Sequence, residues 1–364
     1  MGVYYMKEYF IKDLKPGMVL AEPVKTQKGQ IIVNTDAVLT NTMISRIDFY
    51  GIKSVMIQDA ATPQPSSDDG SSSASYSEKV RASAEFKRFQ NAFSMRTNDL
   101  KECFDSFLSS GGTVNKQQLL NEVASLISSQ NTTIEFFDML HNMRQDNDST
   151  YAHSLNVALI SRMIGIWLKF SPAELDSLTL AGLLHDIGKT QIPDDILNKQ
   201  SRLTDEEFAL VKQHPQFGYD ILKRQPLDTH VKQCALMHHE RCDGSGYPMG
   251  LTLNEIDDYA LIIAIADVYD AMTAARSYRE PLCPFQVIAE FEKDGLQKYK
   301  PKYILTFLDR IATTYQNNRV MLSDGRKAKI VLLNPNRLSK PLVQLEDGDY
   351  LDLNKSTLVI TSLI

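Results

Sequence analysis

Between residues 61 and 77 the chain reads ATPQPSSDDGSSSASYS, and this stretch limits what the rest can fold into. Serine, proline, aspartate and glycine leave it almost nothing to bury, so no single core can run through it. The chain must divide there, into a 1–60 part and a longer part joined by a flexible linker. The segments FIKDLKPGMVLAEPV and GQIIVNTDAVLT break short apolar runs with turn residues, which predicts a small β-rich N-terminal domain. MISRIDFYGIKSVMI follows as a short helix, a glycine turn and a strand. From 78 to about 320 apolar residues recur at helical spacing, and residues 321–364 return to short strands with Asp-Gly and Asn-Pro turns. The expected class is mainly α, with a small β-rich domain before it and a short β-rich extension after it. Ser171 to Glu174 and Thr204 to Glu207 have the capping-box form and mark two helix starts. The charged segment 78–110 is either a signalling-type connector helix or the first helix of the second domain.

Charge and hydropathy remove several functions. A net charge of -6 argues against binding DNA or RNA polymers, which calls for a basic surface. The most apolar stretch, ALIIAIADVY at 260–269, is too short to span a bilayer and carries Asp267, so no membrane role is expected. The N-terminus has neither a signal-peptide core nor the serine or threonine of a myristoylation signal at position six. Cys103, Cys234, Cys242 and Cys283 form no CxxC pair, which fits free thiols in a cytoplasmic protein.

All seven histidines fall between residues 141 and 239. His153 heads the apolar face Val157, Ile160, Ile164 and Trp167, so it points at the core. His185 lies seven residues after Leu178 on the buried side of SPAELDSLTLAGLLHDIGK, where Gly182 permits close backbone approach. Asp186 beside it needs a cationic neighbour to offset its desolvation. Lys189 is one candidate. His214 precedes Pro215 and marks a helix end. His238 and His239 are adjacent, and on a helix their side chains diverge by about 100°. Asp267 follows seven apolar residues, where an unpaired carboxylate would cost several kcal/mol. Asp270, one turn on, is either a supporting partner of the cluster or a turn cap, whereas His141 and His230 read as surface or cap residues.

Five histidines and two aspartates in such positions are too many for one ion. Imidazole and carboxylate ligands suit divalent Fe, Mn, Ni, Co or Zn, and the number of donors suits two such ions. Two-metal sites of this kind serve in-line displacement at phosphorus.

The motifs LLHDIGK (183–189), H-P-x-x-G (His214 to Gly218), HHERCDGSGYP (238–248) and DVYDAMTAARSYRE (267–280) resemble the HD-GYP subgroup of the HD phosphohydrolases. The resemblance spans about residues 140–318. It implies an all-helical catalytic domain that hydrolyses a cyclic dinucleotide, cyclic di-GMP foremost, to the linear dinucleotide or to mononucleotides. Cyclic GMP-AMP is the alternative substrate, and a non-catalytic sensor of cyclic dinucleotides is the alternative function. By position, the ligands would be His153, His185, Asp186, His214, His238, His239 and Asp267, with Asp186 bridging. Lys189 would face the scissile phosphate and Arg276 and Arg279 would hold phosphate oxygens. Gly246, Tyr247 and Pro248 would border the substrate. Some members carry a glutamate four residues before the first histidine and bind a third metal; here that position is Ser149, which implies two. Residues 1–60 resemble the small domain that often precedes HD-GYP domains. That domain, or the 78–110 helix, would carry a homodimer or signalling-partner contact.

Overall fold

Two separate hydrophobic cores organise the chain, as its linker requires. The computed structural model describes all residues except 1–4, 16, 26–30, 34, 36, 40–42, 45–46, 48–51, 60–79, 129–132, 144–149, 200 and 274–281. The chain clusters into two compact units, Met1–Ser73 and Ala74–Ile364.

In the first unit, β1 (Tyr5–Phe10) pairs antiparallel with β4 (Ser54–Asp59), Tyr5 opposite Asp59. The short strands β2 (Val24–Lys25) and β3 (Ile31–Val33) form a second antiparallel pair. Leu20, Leu39, Ile47 and Ile57 fill its core. Most of the short helix expected before β4 lies outside the described residues.

The second unit begins with α1 (Ala84–Ser110), α2 (Lys116–Ser128) and α3 (Thr133–Met143). Next come α4 (Thr150–Trp167) and α5 (Pro172–Leu184). Both expected capping boxes form. Ser171 Oγ accepts from Glu174 N–H while Glu174 Oε2 accepts from Ser171 N–H at 2.7 Å, and Pro172 opens the helix without needing a donor. Thr204 and Glu207 do the same for α7 (Asp205–Val211), which follows the one-turn α6 (Asp194–Leu197). Gly182 lets α5 press on α4: a methyl group there would lie 2.5 Å from Ala158 Cα. Two short helices, α8 (His214–Leu222) and α9 (Thr229–Met237), lead to α10 (Asp258–Thr273).

Helix α10 is buried on nearly every side, including Ile262, Ile263 and Ile265, each a contribution of about 1.5–3 kcal/mol. Its apolar surroundings are what make Asp267 and Asp270 informative. The remaining helices are α11 (Pro284–Lys298) and α12 (Pro301–Thr314).

The C-terminal strands close on this same core. Strands β5 (Arg319–Leu322), β6 (Lys327–Leu332), β7 (Leu342–Leu345), β8 (Tyr350–Asp352) and β9 (Ile360–Leu363) form one antiparallel sheet in the order β8-β7-β6-β5-β9. Along β6, Ala328 and Ile330 face inward while Lys327 and Lys329 face out, the period-two pattern of a half-covered sheet. Among the described residues, no helix is long and apolar enough to cross a membrane.

Candidate metal centre

The ends of three helices, the first turn of a fourth and the middle of a fifth meet at Asp186. Helix α5 stops at Leu184, leaving His185 as its cap residue and Asp186 at φ -98°, ψ 8°, outside the helical ladder. A tight turn of 3-10 helix (Ile187–Gln191) follows, and Gly188 packs it against α8. A methyl group on Gly188 would sit 1.9 Å from His214 O. That contact brings His214, the first residue of α8, to Asp186. His238 caps α9, and His239 lies beyond the helix end, so helical divergence no longer separates them. Their ring centroids are 4.1 Å apart. His153 comes from the first turns of α4 and Asp267 from the third turn of α10.

The distances converge. His185 Nε2 is 3.3 Å and His153 Nε2 3.6 Å from Asp186 Oδ2. On the other oxygen, Oδ1, His214 Nε2 stands at 3.2 Å and His238 Nε2 at 3.6 Å. Asp267 lies 3.2 Å from His153 Nε2 and 3.7 Å from His239 Nδ1. Two sets of atoms are close enough to share an ion: Asp186 with His214, His238 and His239, and Asp186 with His153 and His185. Asp186 belongs to both.

The ring orientations are fixed by the backbone. His185 Nδ1 donates to Gly182 O at 2.8 Å, His214 Nδ1 to Val211 O at 2.7 Å, and His238 Nδ1 to Cys234 O at 3.0 Å. A carbonyl can only accept, so each Nδ1 carries the proton and each Nε2 presents a lone pair to the cluster. His153 is held differently, by Asp270 Oδ2 at 2.8 Å from Nδ1. This resolves the two readings of Asp270 in favour of a supporting carboxylate. Such partners orient a ligand and raise its basicity.

Burial alone would raise the Asp186 carboxyl, but its contacts with His185 and Lys189 hold it well below the usual carboxylate range. Asp267 is likewise depressed, its burial outweighed by His153. His238 is pushed down to about 4 by burial, and His239 well below its usual value by burial and by His238. Both are therefore neutral and able to donate a lone pair at neutral pH. For His153, burial is overcome by Asp267 and Asp270, which lift it to about 10.

These residues fit a divalent ion. Neutral His238 and His239 and the ionised carboxylates of Asp186 and Asp267 are suitable donors, and His185 Nε2 and Asp186 Oδ1 are buried with no hydrogen bond of their own. Replacing Asp270 with alanine is expected to lower manganese affinity by about 10–100-fold, the usual effect of losing a supporting partner. Competition with a fluorescent chelator measures this, and an unchanged affinity would return Asp270 to a purely structural role.

The cluster opens on one side. Side chains of His185, Asp186, His214 and His238 are at most 1% exposed, whereas His153, His239 and Lys189 are 18%, 18% and 23% exposed. Lys189 Nζ lies on this open side, 2.5 Å from Asp186 Oδ2. Tyr247 also covers it, its ring 4.7 Å from that of His239. The Tyr247–Pro248 peptide is cis. Gly246 has a packing role: a methyl group there would meet Glu240 Cα at 2.4 Å. Arg276, Arg279 and Ser149 lie outside the described residues. His230 stays away from the cluster, stacked on Tyr259 and 2.6 Å from Asp257.

Glu240 escaped the sequence reading. It is buried, and its two oxygens accept from Met249 N–H at 2.7 Å and Leu251 N–H at 2.9 Å. It ties the glycine loop back to the histidine pair. The available signal was an acid placed directly between paired histidines and a glycine-rich loop.

Residues 137–303 match the HD domain family. The chain is 33% identical over 236 residues to the cyclic di-GMP phosphodiesterase PA4108 of Pseudomonas aeruginosa, covering 64% of this chain and 56% of that one. It is 39% identical over 177 residues to a cyclic di-GMP phosphodiesterase of Thermotoga maritima, covering 48% of each. Against the 3'3'-cGAMP-specific phosphodiesterase 2 of Vibrio cholerae it is 37% identical over 162 residues, or 44% of this chain and 31% of that one. The chain spans about half the length of the first two relatives, and less of the third. That stretch of the helical unit, with its glycine loop and paired histidines, is thus similar to an HD domain and to these phosphodiesterases.

Proposed function

We propose that this protein is a metal-dependent phosphodiesterase that opens a cyclic dinucleotide, cyclic di-GMP foremost, to the linear dinucleotide. The observation that carries this reading is the meeting of His153, His185, His214, His238, His239 and Asp267 around one shared carboxylate, Asp186. The sharing supports two ions bridged by Asp186, iron or manganese before nickel, cobalt or zinc. Divalent ions held there supply Lewis acidity toward phosphoryl oxygens and toward water.

The chain's own residues do the rest. Asp186 and Asp267 keep their charge through the neutral range and balance the ions. Lys189, partly exposed at the open edge, turns from Asp186 to a phosphoryl oxygen when substrate enters. Arg276 and Arg279, just past α10 in sequence, suit phosphate oxygens by their forked donors. Gly246, Tyr247 and Pro248 form the covering wall that limits water at the open side. The four free thiols suit a reducing compartment, and we assign the protein to the cytoplasm. A dimer or signalling contact through residues 1–60 or α1 belongs to the same proposal.

The test is incubation of iron- or manganese-loaded protein with cyclic di-GMP and with each cyclic GMP-AMP linkage isomer, followed by chromatography. Linear di-GMP as the main product is the expected result. Exclusive turnover of a cyclic GMP-AMP isomer would move the substrate assignment, and binding without turnover would make the protein a sensor.

A further inference from the structure

A cyclic dinucleotide presents two phosphates and two purines, so a phosphodiester seated at the metal cluster leaves purine rings at its rim. Tyr247 is the aromatic residue that the GYP loop offers there, yet two neighbours already lie on its ring. His239 is 4.7 Å away, and Lys212 Nζ is 5.3 Å from the ring centroid. The same ammonium is 4.8 Å from the centroid of Phe208, one helical turn earlier. Lys212 thus joins two aromatic rings, one against the cluster and one facing water. Phe208 is 49% exposed.

A lone exposed phenylalanine on a helix is ordinary. This one differs because its cation partner also holds the loop over the cluster, and because Lys212 stands two residues before His214. Alternating aromatic faces and cations are how proteins hold nucleotides through stacking and charge.

We infer that Phe208 supplies the stacking face for a purine of the cyclic dinucleotide, with Lys212 fixing it to Tyr247 beside the ribose-phosphate. This rests on the substrate reading above and assigns a residue outside the four motifs. Phe208 is a binding residue and Lys212 a positioning residue.

The experiment compares manganese-loaded wild type with Phe208→Leu, Phe208→Ala and Phe208→Trp on two substrates. One is cyclic di-GMP; the other is methyl p-nitrophenyl phosphate, a diester without a nucleobase. Stacking losses predict that leucine and alanine each raise KM for cyclic di-GMP about tenfold with kcat held within about twofold. Tryptophan restores the wild-type KM. The small diester is cleaved equally by all four proteins. An unchanged KM in Phe208→Leu overturns the inference while leaving the phosphodiesterase reading intact. A parallel loss on both substrates also overturns it, since the ring would then only support the fold. Cleavage of the small diester by wild type with no cyclic dinucleotide turned over would remove the substrate reading and this inference with it.

Discussion

Asp186→Asn is expected to lose its transition metal and to hydrolyse cyclic dinucleotide at the background rate while staying folded. The substitution keeps side-chain volume but removes the charge that His185 and Lys189 stabilise. It also takes a carboxylate oxygen from both sets of ligand atoms at once, because Asp186 is common to them. Losing a supporting partner alone costs about 10–100-fold in metal affinity, so losing the shared carboxylate should cost at least about 100-fold. The fold should survive, since Lys189 is partly exposed and can turn to solvent once its partner is neutral. Elemental analysis, circular dichroism and product chromatography on the same preparation check the three claims. A folded variant that keeps its metal and turns over substrate would sink the bridging role.

Much of this site was readable because each residue paired a metal-ligating type with a position facing the core. Helical spacing and the apolar run before Asp267 placed His153, His185 and Asp267 on buried faces, and the structure brings all three to the cluster. Spacing could not say which side chains meet. His238 and His239 diverge if both are helical; they converge because α9 ends at Met237. Asp270 stayed open between two roles until its 2.8 Å contact with His153, contributed by a helix more than a hundred residues away, decided it. Glu240 and the Phe208–Lys212–Tyr247 arrangement share that difficulty, since their partners are set by how separate elements pack. The fold behaves similarly. Capping boxes at Ser171 and Thr204 are local and legible, whereas the return of β9 to pair with β5 is a long-range choice that no short pattern encodes.

Gly188→Ala should be the most damaging single-methyl change near the site, though glycine carries no chemistry. The added carbon would lie 1.9 Å from His214 O and 2.5 Å from Gly218 N, both backbone atoms that no rotamer change can move. Relief requires the 3-10 turn and α8 to separate, which draws His214 away from Asp186. Overpacking of this kind costs about 3 kcal/mol. In a unit of this size that lowers Tm by roughly 6–12 °C. Metal content should fall as well, although every ligand remains in the chain. Gly295→Ala is the matched control. Gly295 sits inside α11, where a methyl group would meet Ile304 at an ordinary 3.7 Å, so alanine should raise stability by about 0.5–1 kcal/mol. Opposite shifts in thermal melts of the two variants, with metal lost only from Gly188→Ala, would tie the site to the contact between the turn and α8. Equal metal retention in both would mean that the cluster does not depend on that contact.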